Sequence, residues 1–256
     1  MRLQSEIKIT LKNKVIGGPT PMICLPLVAA EMSELLGQAE SLKQLAPDFL
    51  EWRIDSFSAV KDLNACLKAL KVLQGAIEKI PLIFTCRIHT EGGFKKLSQE
   101  ERLKLITAAI ESEGIDIVDI ELCNERAFVE TVRKTAKANS SKLILSYHNF
   151  TDTPDENVII DKLVQAQDMG ADIAKVAVMP KNYADVLTLL SATLKARTGE
   201  VKLPIVTMSM GAEGGVTRLA GGLFGSDITF AIGKESSAPG QIPISDLRKA
   251  MDVLYE

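Results

Sequence analysis

Hydrophobic and polar positions along this chain alternate between short apolar runs and longer segments of helical spacing. Eight runs stand out, at 22–27, 49–54, 81–88, 115–121, 142–148, 172–179, 203–210 and 228–233. Apolar stretches of that length, continuous rather than alternating, read as strands buried on both faces of a parallel sheet. Their starts lie about 25 to 34 residues apart, room for one strand and one crossover helix. Helix start signals fall in the gaps. Ser98-Gln99-Glu100-Glu101 has the form of a capping box, Pro154 precedes Asp155-Glu156 as a first helical residue, and Pro243 with Ser245-Asp246 opens a last helix. No linker or low-complexity tract divides the chain. The pattern predicts the α/β class, a closed (β/α)8 TIM barrel forming a single domain over residues 1–256.

Two segments stand outside the repeat. Residues 1–20 contain loosely alternating stretches at 6–12 and 14–16, which predict an N-terminal β-hairpin closing the bottom of the barrel. Residues 234–241, with small side chains, Pro239 and Gly240, predict a lid loop over the mouth.

Composition narrows the function classes. The 256 residues are 46% hydrophobic and 25% charged, and 30 basic against 33 acidic residues give a net charge of −3. That balance leaves no footprint for nucleic acid or an anionic membrane surface. No apolar stretch approaches the ~20 residues of a membrane span, and the N-terminus lacks a signal-peptide core. Cys24, Cys66, Cys86 and Cys123 are widely spaced with no C-x-x-C pair. Three sit in apolar context, so free buried thiols and a reducing cytoplasm are expected.

The barrel expectation selects candidate chemistry, because this fold builds its sites at the C-terminal ends of the strands. Polar or soft residues late in strands form a short list: Glu51, Arg53, Arg87 with Glu91 just beyond, Glu121, Ser146, His148, Lys175, Met208 and Met210. Lys175 is alone in an apolar run, where desolvation weakens its hold on a proton and the free amine can attack a carbonyl carbon. A lysine snorkelling from the strand end, or paired with a buried carboxylate, is the plainer alternative. His148 ends the preceding strand, about 4.8 Å away, within reach of the same substrate skeleton. Glu91 can accept its second ring N–H. Arg53, Arg87 and Arg218 converging on one mouth imply an anionic, hydroxyl-bearing substrate, and would disfavour a protonated Lys175. The glycine-rich residues 211–215 read as a loop carrying Arg218 rather than a phosphate cradle. Carboxylates at Glu51, Asp55, Glu91 and Glu121 stand beside arginines, which argues against a metal site.

Six spaced motifs resemble the type I 3-dehydroquinate dehydratases. They are Glu51-Trp52-Arg53-Ile54-Asp55, Arg87 with Glu91-Gly92-Gly93, Ser146-Tyr147-His148-Asn149-Phe150, Ala174 to Pro180 around Lys175, Met208-Ser209-Met210-Gly211, and Ser237-Ala238-Pro239-Gly240-Gln241. The resemblance runs in order from about residue 22 to the end of the chain. It implies a shikimate-pathway hydro-lyase converting 3-dehydroquinate to 3-dehydroshikimate by syn elimination through a Schiff base. In that reading Lys175, His148 and Glu91 are catalytic. Arg218, Ser237 and Gln241 hold the carboxylate region, Glu51, Arg53 and Arg87 read the ring hydroxyls, and Met208 and Met210 pack on the ring. No cofactor and no metal are implied, and a homodimer is implied by family analogy. Pro26 departs from members that carry a serine there. Two rival readings are a class I Schiff-base aldolase and a non-catalytic barrel binding a quinate-like acid. His148 beside Lys175 and the carboxylate-binding arginines favour dehydration over both.

Overall fold

A computed structural model describes residues 2–233 and 242–255. Strands β1 (Ile9–Leu11) and β2 (Lys14–Ile16) form the antiparallel hairpin. The barrel strands are β3 (Met22–Leu27), β4 (Phe49–Arg53), β5 (Leu82–Thr85), β6 (Ile117–Glu121), β7 (Lys142–Asn149), β8 (Ile173–Val178), β9 (Ile205–Ser209) and β10 (Ile228–Phe230). They pair in parallel in the order β10-β3-β4-β5-β6-β7-β8-β9. The helices are α1 (Met32–Lys43), α2 (Leu63–Ile77), α3 (Gln99–Glu111), α4 (Arg126–Ala138), α5 (Glu156–Asp168), α6 (Tyr183–Thr198), α7 (Gly215–Ala220) and α8 (Ile244–Leu254). All eight predicted strands are present, within three residues at each boundary. The Ser98–Glu101 capping box forms with both of its hydrogen bonds. One start differs: α5 begins at Glu156, because Asp155 keeps an extended ψ of 148° suited to an N-cap, which leaves Pro154 outside the helix.

The seam between β9 and β10 is the weakest part of the cylinder. One bridge, Ile205–Ser226, replaces a ladder there, helped by the Thr207 amide donating to Ser226 Oγ at 3.0 Å. Asp227 reinforces it. Its carboxylate accepts the Ile205 amide at 2.8 Å and is gripped by Arg2 and Arg197.

Side-chain parity sorts the interior into layers. Cys24, Phe49, Ile83, Ile117, Ile144, Ile173, Val206 and Ile228, one from each strand, form an apolar floor. Ile9, Leu11 and Ile16 of the hairpin join that cluster, so the hairpin plugs the N-terminal end. Two residues further along, five of these strands turn polar on the same face, with Glu51, Thr85, Asp119, Ser146 and Lys175, while β3, β9 and β10 carry Pro26, Met208 and Phe230 there. A second, larger core fills the space between strands and helices. Cys24, Cys66 and Cys86 are free and buried, and Cys123 is free and exposed. Among the described residues no helix is long and apolar enough to cross a membrane.

Candidate active site

The polar layer above the floor is held together by charge. Lys175, central in β8, donates from Nζ to Asp119 Oδ2 at 2.9 Å, and Glu51 Oε1 lies 3.7 Å away. The ammonium also sits over the Phe230 ring, 4.7 Å from its centre. The nearest charges to Nζ are therefore carboxylates. Sequence reasoning placed arginines around the amine; the groups nearest to Nζ are instead Asp119 and Glu51. Arg87 stands behind these carboxylates, bonding Asp119 at 2.9 Å and Glu121 at 2.9 Å. Buried between two cations, Asp119 has its carboxyl held far below the usual range, with Arg87 and Lys175 outweighing desolvation.

His148, at the end of β7, comes from the strand beside Lys175, with Ser146 and Lys175 in register. Glu91 accepts both from the His148 backbone amide and across 3.0 Å from ring Nδ1. That contact places the Nδ1 proton toward Glu91 and leaves Nε2 as the basic nitrogen. Burial, with Arg87 and Lys175 nearby, holds the imidazole well below its ordinary pKa, so it is neutral. Burial raises the Glu91 carboxyl, while hydrogen bonds from Cys123 and the His148 amide oppose this. Phe150 lies nearly parallel to the His148 ring, with centroids 6.3 Å apart. Its ring rests against Gly92, where φ is 84° and an added Cβ would come within 2.6 Å of it. Only glycine permits that approach.

The remaining candidates surround this centre. Arg53 is fixed by Asp55 at 3.0 and 2.9 Å and by the Gly92 carbonyl at 3.0 Å. Asp55 is fully buried and also accepts the amides of Arg87 and Phe94. Glu51 accepts the Thr85 hydroxyl at 2.8 Å. Met208 lines the interior with Met210 packed beside it. Arg218, on α7, donates to the Phe230 carbonyl at 3.1 Å, while its buried Nε has no partner among the described residues. Such an unused donor suits an incoming carboxylate. Ser237, Gln241 and the expected lid at 234–241 lie outside the described residues.

Two participants escaped sequence reasoning. Asp119 shares parity with Glu121 in Ile117-Val118-Asp119-Ile120-Glu121, and that signal was readable. Arg102 carried none, since a helical Glu-Glu-Arg reads as solvated surface. It is buried, bonding the Cys86 carbonyl and Glu121. Glu121, also bonded by the Ile88 amide, is thereby a clasp between strand ends. The carboxylates Glu51, Asp119 and Glu121 thus face cationic side chains, and among the described residues no group of His, Cys, Asp and Glu is arranged to hold a metal ion.

Residues 23–256 match the family model for type I 3-dehydroquinase. This chain belongs to that family. A 3-dehydroquinate dehydratase of Albidiferax ferrireducens is 44% identical over 94% of this chain and 91% of its own length. The one from Bacillus subtilis is 41% identical over 97% of each. A crystal structure of 3-dehydroquinate dehydratase from Geobacillus kaustophilus superposes with a TM-score of 0.95 at 44% identity, covering 99% of this chain and 98% of that one. The Clostridium difficile type I enzyme, solved with covalent modified comenic acid, gives a TM-score of 0.94 at 36% identity, over 97% and 98%. The type I 3-dehydroquinases thus share this barrel over essentially the whole chain.

Proposed function

We propose that this chain dehydrates 3-dehydroquinate to 3-dehydroshikimate through a Schiff base on Lys175. The observation that carries the reading is Lys175, the one lysine buried among the described residues, one strand from a neutral histidine oriented by a buried carboxylate. Lys175 attacks the C3 ketone, and the protonated imine acidifies the adjacent C2–H. His148 removes that proton to leave an enamine, then returns a proton to the departing C1 hydroxyl. Glu91 fixes the ring while the charge on His148 comes and goes. Hydrolysis of the imine frees the product. The imine nitrogen is itself the electron sink, so the mechanism calls for no cofactor and no metal.

Arg218, with its unused Nε, is assigned to the substrate carboxylate together with Ser237 and Gln241, and 234–241 is assigned to closing the mouth. Glu51, Arg53 and Arg87 are assigned to the ring hydroxyls, and Met208 and Met210 to its apolar edge. Borohydride added with 3-dehydroquinate is expected to fix the substrate skeleton on Lys175, located by peptide mapping, while the unreduced reaction develops conjugated-enone absorbance. An adduct on another lysine, or none, defeats the proposal.

The reading includes a cytoplasmic homodimer. The free buried thiols agree with a reducing compartment. On α6, Tyr183 and Leu187 are 72% and 66% exposed, and Lys195 on the same helix is already paired with Glu156. An apolar face with its charge neutralised can meet an identical copy without repulsion. Light scattering is expected to give twice the chain mass, reduced to the monomer by Leu187→Glu.

A further inference from the structure

The division of labour at Asp119 is sharper than that of an ordinary ion pair. Its Oδ1 is occupied from two sides, by Arg87 Nη2 at 2.9 Å and by the Ser146 hydroxyl donating at 2.6 Å. Ser146 in turn accepts from Arg87 Nη1 at 2.7 Å. Only Oδ2 is left, and it is aimed at Lys175 Nζ at 2.9 Å. Glu51, the other carboxylate near Nζ, is farther away at 3.7 Å and shares its oxygen with Thr85. Glu51, Thr85, Asp119, Ser146 and Lys175 share inward parity on neighbouring β4 to β8, and Arg87 follows two residues after the end of β5.

We propose that Asp119 is a catalytic residue, the permanent counter-ion that accompanies Nζ of Lys175 as ammonium and then as protonated imine. The inference rests on the Schiff-base reading of Lys175 and names the group that makes its cation tenable in a buried site.

The atom balance explains why a fixed anion suits this reaction. An ammonium and a ketone combine to give a protonated imine and one water. The N–C bond forms, the C–O bond breaks, and both hydrogens of the water come from the ammonium. The positive charge remains on Nζ, so an anion that pairs with the first state pairs equally with the second. An uncompensated cation at this depth would be strongly penalised by desolvation. Asp119 is not the base that takes protons from Nζ, because Arg87 and Lys175 hold its carboxyl far below the usual range. When His148 removes the C2 proton, the C–H electron pair forms the C2–C3 double bond and the imine π electrons return to Nζ. The charge then sits on His148, still within the field of Asp119.

The test compares wild type, Asp119→Asn and Glu51→Gln for borohydride-trapped adduct on Lys175 and for steady-state turnover of 3-dehydroquinate. Asp119→Asn keeps the shape and removes the charge. Its adduct yield and kcat are expected to fall by roughly 10²-fold or more, as when one preorganised charge-stabilising group is removed, with KM changing far less. Glu51→Gln, at a residue assigned to the ring hydroxyls, is expected to raise KM, with adduct still trapped on Lys175 at saturating substrate. Asp119→Asn trapping adduct as fast as wild type overturns the proposal, as does a collapse of trapping confined to Glu51→Gln. A wild type that yields no Lys175 adduct overturns the Schiff-base reading as well, which separates the two failures.

A second measurement needs no substitution. In the wild-type product adduct, the C=N stretch should shift in deuterated water, marking a protonated imine, at every alkaline pH where the protein stays folded. The charged or titratable groups facing Nζ are Asp119 on β6, Glu51 on β4, Arg87 beyond β5, His148 on β7 and Cys24 on β3. Of these, only Asp119 contacts Nζ at hydrogen-bond distance. A neutral imine at mild alkaline pH overturns the counter-ion role.

Discussion

Two buried aspartates, one toward each end of the barrel, sit between two cations each, and only one of them pairs with a lysine. Asp227 closes the β9–β10 seam between Arg2 and Arg197, and accepts the Ile205 amide as well. Asp119 lies between Arg87 and Lys175. Burial and ion pairing are therefore common to both, and neither marks function. The difference lies in the cations. Arginine neither loses its proton nor attacks carbon under working conditions, so the Asp227 cluster can only tie segments of the fold together. Lysine can do both, and Lys175 lies in the polar layer above the apolar floor, on the side toward the C-terminal strand ends where this fold builds its sites. The carboxyls respond in opposite directions as well. Desolvation prevails at Asp227 and raises it, while the cations prevail at Asp119 and lower it.

The contrast breaks most easily at the upper end. His148→Ala should lower kcat by roughly 10² to 10⁴-fold, the usual contribution of a general base, while borohydride still traps substrate on Lys175. Turnover within a few-fold of wild type would remove His148 from the mechanism. The pH profile sharpens the same point. The base is the neutral imidazole, and its pKa is depressed, so kcat/KM should stay flat as pH falls through the ordinary histidine range near 6.5 and decline only below it. A midpoint at or above that value would contradict the burial of the ring.

At the lower end the expected effect is on stability alone. Asp227→Asn leaves Arg2 and Arg197 buried without an anion, and removing one partner from such a cluster costs about 3 to 5 kcal/mol. Urea unfolding should show that loss, while kcat of the folded fraction matches wild type. A large fall in kcat without a loss of stability would mean that the two ends are coupled and the comparison fails.

The sequence carried the architecture well because β-strand runs, capping signals and repeat length are local. The hairpin, all eight strands and the capping box were legible for that reason. Lys175 was legible because a lone polar residue in an apolar strand is conspicuous, and His148 because it ends the strand beside that lysine. The electrostatics of Lys175 were not. Its environment depends on which carboxylate faces it across the barrel, and Asp119 is 56 residues away in the chain. Arg102 was hidden for a related reason: a helical arginine looks the same in sequence whether it meets water or a buried glutamate. The Asp227 cluster joins residues 225 apart and leaves no local pattern at all.

The finest separation of the two aspartates lies in the sign of their acid linkage. Asp119 has a lowered folded pKa, so it contributes stability that is present above its unfolded pKa of about 3.9 and is lost as pH falls toward the folded value. Asp227 has a raised folded pKa. The native state binds its proton more readily than the unfolded chain does, so its contribution is fullest in acid and is lost as pH rises through the raised value. The destabilisation caused by Asp119→Asn should therefore shrink as the solution is acidified below about pH 3.9, where wild type gives up the advantage that the variant never had. The destabilisation caused by Asp227→Asn should instead grow as pH falls from the raised value toward about 3.9. Each slope is at most about 1.4 kcal/mol per pH unit, which urea midpoints taken across a pH series can resolve. Parallel slopes for the two variants would mean that desolvation and cation pairing are balanced alike at both ends, and the distinction between the two clusters would then rest on the chemistry of lysine alone.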